Sequence, residues 1–283
     1  CTRASGFERA YEDEAAGLLV AAGRFADAAG FHDEALADRA GEDPLGAAQV
    51  AVGRDGRIAR VVSETGLSVF LGSDYATALR PHVGPTVAKS RIATRPPTDG
   101  TLRDRYELET GAVVRRYEGE PLGTYHLTPA EHRLGDEDTA TLAAAHRRLA
   151  RGAVAGGERA PARAVRSVAS DGQPVETLSS SLEKHTQGLG VFDDCFADPA
   201  VTDAFATAPV AKNRLRVRCD GETLRTNVKL TDDGVSALAS HFRRVEGRAF
   251  SQASPTLDAA TDAGGRRIRI AGVTDPVSDG TGF

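Results

Sequence analysis

The chain has 283 residues, 40% hydrophobic and 27% charged, a globular composition long enough for roughly two domains with real cores. That excludes a small stapled module, and the longest apolar runs, such as 15–22, fall far below the ~20 residues of a bilayer crossing. Net charge is −5, which argues against a general nucleic-acid binder, because phosphate contacts dominate such affinity.

Charge is uneven along the chain. Residues 200–283 carry twelve Lys and Arg against ten Asp and Glu, leaving +2 there and −7 in the remainder. The three cysteines, Cys1, Cys195 and Cys219, cannot pair completely and lie far apart, which predicts a reducing compartment. There is no Met, the chain opens on Cys1, and no basic-then-apolar signal stretch is present, which predicts a fragment cut from a longer chain.

Residues 8–80 read as short helices. Leu18, Leu19, Ala22, Phe25, Ala26 and Ala29 keep helical spacing, Asp43-Pro44 places a cap before a first-turn proline, and Gly53 and Gly66 close the next two helices. Pro81, Gly84 and Pro85 predict a helix end followed by a turn, and Arg95–Gly100 a boundary. A strand is expected from Tyr106 through Val113 and Val114, an irregular piece to Pro129, a helix near 138–151, and a linker over 152–173. Val175, Leu178, Leu182 and Leu189 mark a further helix, and 191–197 a short one.

The sharpest local signal is 214–230. Leu215, Val217 and Cys219 alternate with Arg214, Arg216 and Arg218, Asp220-Gly221 supplies a turn, and Leu224, Val228 and Leu230 alternate with Arg225 and Lys229. Thr231 then caps a helix that Gly247 ends. A last strand carries Ile268 and Ile270 on one face and Arg267 and Arg269 on the other. The fold expected is α+β: a helical N-terminal region over 1–97, a mixed extension and linker over 98–173, and a small α+β domain over 174–283 with a mainly antiparallel sheet.

Gly84–Ser90 approaches a phosphate-binding loop, but Lys89 stands one position early and Ala88 replaces the second glycine. His126, His132 and Glu131, or Cys195 with Cys219, lack the paired close spacings of zinc sites. Cys195 follows Asp193 and Asp194, whose charge disfavours a thiolate, and Ser179–Ser181 lies in a helical stripe. No catalytic residue and no metal site is therefore expected in this chain. Arg214, Arg216, Arg218 and Arg225 read as the solvent side of a sheet or as a surface for an acidic partner.

Several of these residues form an ordered series: Gly190-Val191 and Asp194, Ala197–Asp203, Ala208-Pro209, Asp220-Gly221, Leu230-Thr231-Asp232, Gly247-Arg248, Pro255–Ala259, and an Arg-rich strand ending in Asp279-Gly280. In this order the series, covering about 174–283, resembles the N-terminal domain of the type II/type IV secretion ATPases, which also drive pilus assembly and the archaeal flagellar motor. Segment 105–170, with Tyr106-Glu107-Leu108 and Gly123–Leu127, is similar to an extension of the archaeal members.

The resemblance implies a cytoplasmic homo-hexameric motor subunit that couples to an integral-membrane platform protein, with no nucleic acid as partner. Its ATP and Mg would be held by a C-terminal RecA-like domain that this chain lacks, so the chain alone should not hydrolyse ATP. An arginine after the glycine turn of the last strand contacts phosphate in that family. Counting from Asp279-Gly280 favours Arg269, and counting from Gly264-Gly265 favours Arg266 or Arg267. Strand alternation puts Arg267 and Arg269 on one face, and these are the expected phosphate contacts. The alternative is a non-enzymatic interaction or sensor module.

Overall fold

The computed structural model describes every residue except Cys1, Ser5, Glu12, Asp55, Arg80, Pro81, Asp99 and Arg248. Expectations resting on Cys1, Pro81, Asp99 and Arg248 thus lie outside the described residues. The backbone forms two compact units, 9–82 and 83–283, the second joined by residues 2–8.

The first unit is helical: α1 (Asp13–Ala29), α2 (Glu34–Glu42), α3 (Pro44–Val52), α4 (Arg57–Glu64), a 3-10 turn at Leu67–Phe70 and α5 (Tyr75–Ala78). Leu18, Ala22, Phe25 and Ala29 recur at helical spacing and are buried with Ala40, Ala47, Ala51, Val62 and Leu67, so small alanine faces let the short helices approach closely. Asp33 caps α2 by accepting from the Leu36 N–H at 3.0 Å, and Asp43 caps α3 by accepting from Gly46. The expected Asp43-Pro44 helix start is therefore present, with Tyr75 donating to the same carboxylate at 2.6 Å.

Three sheets lie mainly in the second unit. Strands β1 (Thr2–Ala4), β2 (Phe7–Ala10), β3 (His82–Pro85), β4 (Ser90–Ile92) and β11 (Val228–Leu230) make one, in the order β1-β2-β3-β4-β11. Six strands make the second: β5 (Thr101–Glu107), β6 (Val113–Glu118), β7 (Thr124–Thr128), β8 (Val201–Phe205), β9 (Arg216–Cys219) and β10 (Glu222–Thr226), in the order β5-β6-β7-β10-β9-β8. All its pairings are antiparallel except β7 with β10, where Thr124 faces Arg225. The third is a ribbon, β12 (Thr256–Ala263) with β13 (Arg266–Val273). The fold is α+β with mainly antiparallel sheets.

Helices α6 (Asp136–Ala150), α7 (Ala160–Arg166) and α8 (Val175–Thr186) share a core of Leu142, Ala145, Ala164, Val165, Leu178 and Leu182. Helices α9 (Val191–Ala197) and α10 (Asp232–Glu246) join the main core, where Val114, Tyr125, Leu127, Val217 and Leu224 of the large sheet meet Phe192, Phe242, Leu257 and Ile270. The expected borders at 97/98 and 173/174 both lie within this unit. No helix among the described residues is long and apolar enough to cross a membrane.

Five local expectations are corrected. Gly84 and Pro85, expected directly after a helix end, lie in strand β3, which leads to a turn with Lys89 at φ 46°. The irregular piece before Pro129 contains the paired strand β7, and β6 runs on to Glu118. The linker over 152–173 contains α7, whose Pro161 sits in the first turn and whose Val165 is fully buried. The second arm of the 214–230 hairpin breaks at Asn227, whose side-chain amide bonds the Leu127 N–H, the Leu127 carbonyl and the Ala93 carbonyl, so that 228–230 joins another sheet. The strand β12 had no counterpart among the expected elements. The hairpin itself is as expected, with Val217 and Cys219 buried and Arg216 and Arg218 exposed, and Thr231 and Gly247 bound α10.

Candidate functional site

The ribbon is built on a two-residue turn. Gly264 and Gly265 have φ of +53° and +74°, the left-handed pair that a tight hairpin requires and glycine adopts freely. Beyond the turn the strand period of two sorts the arginines. Arg267 and Arg269 stand on the outer face, 66% and 79% exposed, and Ile268 and Ile270 on the inner one. Beneath lie aromatic rings, Phe242 edge-on to Phe283 with centroids 5.1 Å apart.

Arg266 does something different. Its Nε donates to the Phe196 carbonyl at 2.8 Å, and its Nη2 to the Val201 carbonyl at 2.8 Å and the Asp198 carbonyl at 3.2 Å, with the guanidinium 5.8 Å from the Phe196 ring centre. Carbonyls at and just past the end of α9 are thereby satisfied by a cation. Its donors are thus engaged within the protein, which separates it from the two outward arginines among the three registers left open by the sequence.

On the outer face the cations meet the ribbon's own aspartates. Arg269 makes a bidentate pair with Asp258, at 2.9 and 2.5 Å, and Arg267 lies 3.5 Å from Asp262. Exposed ion pairs are weak and screened by salt, so a ligand of higher charge density can displace the aspartates. Guanidinium forks match phosphate oxygens in the same bidentate manner.

The other sequence candidates are engaged elsewhere. Gly84–Ser90 runs strand, turn, strand, and so does not lead into a helix as a phosphate loop does; the Lys89 carbonyl accepts from the Thr231 hydroxyl at 2.9 Å. His126 Nε2 lies 3.2 Å from the Arg95 carbonyl. Cys195 and Cys219 are buried free thiols, and burial pushes both upward in pKa, Cys219 to about 11. The Ser179 hydroxyl donates to the Val175 carbonyl within α8, and Ser181 is buried.

Sequence reasoning missed one polar centre. Lys184 Nζ lies 2.8 Å from Glu131 Oε2 and 2.7 Å from Asp194 Oδ2, and His185 Nε2 lies 2.6 Å from Glu131 Oε1. Both carboxylates are at most 1% exposed. Among the described residues no three His, Cys, Asp or Glu side chains converge as metal ligands. The only signal in the sequence was Lys184 itself, one of four lysines in a chain whose other 31 cations are arginine.

Beside this centre, burial lowers the His132 ring from 6.5 to about 4, against the opposing pull of Glu131. Below pH 6.5 the unfolded chain takes up a proton that the folded ring refuses until about pH 4, so stability falls as pH drops through that window. The expected loss is about 2–3 kcal/mol. Urea unfolding at pH 7 and pH 4.5 should therefore show a smaller acid loss for His132→Gln than for the parent; equal losses would mean that the ring is solvated.

No protein-family model matches the chain, and no curated protein matches it.

Proposed function

We propose that this chain is the N-terminal, non-catalytic part of a hexameric secretion or pilus-assembly motor ATPase. Arg267 and Arg269 contact the terminal phosphates of ATP, which is held with Mg by a catalytic RecA-like domain of the full-length protein. The observation that carries this reading is the outer ribbon face: two guanidinium groups of one strand, both in solvent, whose ion partners are the exposed Asp258 and Asp262. The α+β fold expected from the resemblance supports it.

In this reading the arginines exchange aspartate for triphosphate when ATP is bound and return after hydrolysis. That difference in contact between nucleotide states biases a hinge motion of the domain. The inward Arg266 keeps the ribbon seated, so the motion passes to the whole domain. The motor acts in the cytoplasm and passes its motion to an integral-membrane platform protein.

The test is ATP hydrolysis by the protein of the full reading frame, with and without Arg267→Ala and Arg269→Ala. Loss of arginines at a transferring phosphate typically costs roughly 10³-fold or more; for groups that sense rather than complete the transition state, a fall of about 10²-fold in kcat is expected, with thermal unfolding unchanged. A double variant as active as its parent, or hydrolysis by the 283-residue chain alone, overturns the reading. A full-length protein without nucleotide binding favours the interaction-module alternative, which draws on the exposed Arg216 and Arg218 of the large sheet.

A further inference from the structure

The strongest local charge in the chain lies away from the ribbon. Between residues 146 and 170 stand six arginines, Arg147, Arg148, Arg151, Arg159, Arg163 and Arg166, against one acidic residue, Glu158. They occupy the last turn of α6, its C-cap, the N-cap of α7 and α7 itself, and all six are exposed. The acidic first turn of α6 is ten residues earlier, roughly 15 Å along the helix, beyond a Debye length of ~8–10 Å.

Some exposed arginines elsewhere are paired with acids, Arg39 with Asp43 and Arg133 with Glu107 among them. Among the described residues none of these six has an ion pair. In a chain with net charge −5, that is an unneutralised basic knob.

Between the two arginine groups runs an uncharged stretch, Gly152-Ala153-Val154-Ala155-Gly156-Gly157. All of it is exposed except Val154, which packs toward the three-helix core. Arg163 fixes the loop by donating to the Ala155 and Gly156 carbonyls at 2.5 and 2.6 Å, and Gln187 donates to the Gly157 carbonyl at 3.2 Å. The tip is thus a small, held, nonpolar loop with arginine groups on both flanks in sequence.

We propose that this α6–α7 tip docks on the surface of an anionic lipid bilayer, its arginines at the level of the lipid phosphates and the Gly152–Gly157 loop among the headgroups. Clusters of four to eight basic residues on such elements bind anionic lipid surfaces, at about one decade or less of affinity per residue. Arginine clusters also recognise acidic peptide motifs, so tighter binding of an acidic peptide through the same arginines would overturn the assignment. Residues 126–191 contain no Phe, Tyr or Trp, so the tip lacks the stacking rings that single-stranded nucleic acids use. The inference is independent of the nucleotide reading.

The experiment is co-sedimentation of the 283-residue chain with vesicles of phosphatidylcholine alone or containing about a third phosphatidylglycerol, at low and high salt. Binding is expected to the anionic vesicles alone and to fade with salt. The variant Arg147→Gln, Arg148→Gln, Arg151→Gln, Arg159→Gln should lose at least tenfold in partitioning; Arg163 is left to hold the loop. A charge-matched variant, Arg105→Gln, Arg216→Gln, Arg218→Gln, Arg225→Gln, should keep most of it. The proposal is overturned by no binding to the anionic vesicles, by equal binding to neutral ones, by equal loss in the two variants, or by tighter binding of a single-stranded oligonucleotide through the same four arginines.

Discussion

Lys184→Met is expected to destabilise the second unit by about 3–5 kcal/mol, the cost of leaving a buried charge without its partner. Lys184 is only 9% exposed and lies between two carboxylates that are effectively sealed from water. Burial alone would lower the lysine pKa, but Glu131 and Asp194 outweigh it and raise it. Burial likewise opposes the Glu131 carboxylate, yet Lys184 and then His185 hold it well below the ordinary range, whereas at Asp194 burial wins over Lys184 and the pKa rises. One ammonium thus serves two carboxylates with opposite outcomes.

The sign of the pH dependence gives the sharper test. With its pKa depressed, Glu131 contributes stability above its unfolded value that is lost as pH falls through the folded one. In Lys184→Met the same carboxyl, buried with only the His185 ring beside it, is expected to rise above the unfolded value, so that its contribution is lost as pH rises. The cost of the substitution measured by urea unfolding should therefore be smaller at pH 5 than at pH 8. Adding Glu131→Gln and Asp194→Asn should restore most of the loss, because replacing a whole buried ionic group is far cheaper than breaking it. An equal cost at both pH values would show that water reaches the cluster.

What the sequence disclosed follows from the range of the physics involved. Caps and turns act within four residues, so Asp43-Pro44, Thr231 with Gly247, and Asp220-Gly221 were legible. Strand alternation is also local, and it separates Arg267 and Arg269 from the isoleucines. The role of Arg266 was not legible, because its three carbonyl partners lie 65–70 residues away. The Lys184 centre was not legible for the same reason, its partner Glu131 being 53 residues distant. Strand β12 was hidden by composition: Thr-Leu-Asp-Ala-Ala-Thr-Asp-Ala has few β-branched or aromatic residues, and its strand character comes from full pairing with β13. Helix α7 was masked by the glycines before it, although Pro161 sits where a first-turn proline belongs.

Gly264→Ala is expected to cost about 2–5 kcal/mol, and Gly265→Ala only about 1–2. Both residues have positive φ, and a left-handed non-glycine residue costs roughly 1–2 kcal/mol. They differ in what surrounds them. A Cβ on Gly264 would stand 2.2 Å from the Ala197 nitrogen, 2.3 Å from the Phe196 carbonyl carbon and 2.8 Å from the Asp193 oxygen, whereas a Cβ on Gly265 would meet nothing within 4 Å. The obstructing atoms are α9 backbone, which cannot swing aside as a side-chain end can, so overpacking adds a further 1–3 kcal/mol. The Gly264 N–H also donates to Asp193, which in turn accepts from Leu189, and one turn further Arg266 grips the end of the same helix. Displacing Gly264 from α9 therefore moves the strand that carries Arg267 and Arg269. If the proposed motor function holds, Gly264→Ala should lower ATP hydrolysis by the motor while Gly265→Ala leaves it near the parent level, although neither glycine carries charge. Comparable losses of stability in the two variants, read by thermal unfolding, would mean that the turn is not seated on α9 and that the ribbon's position has another source.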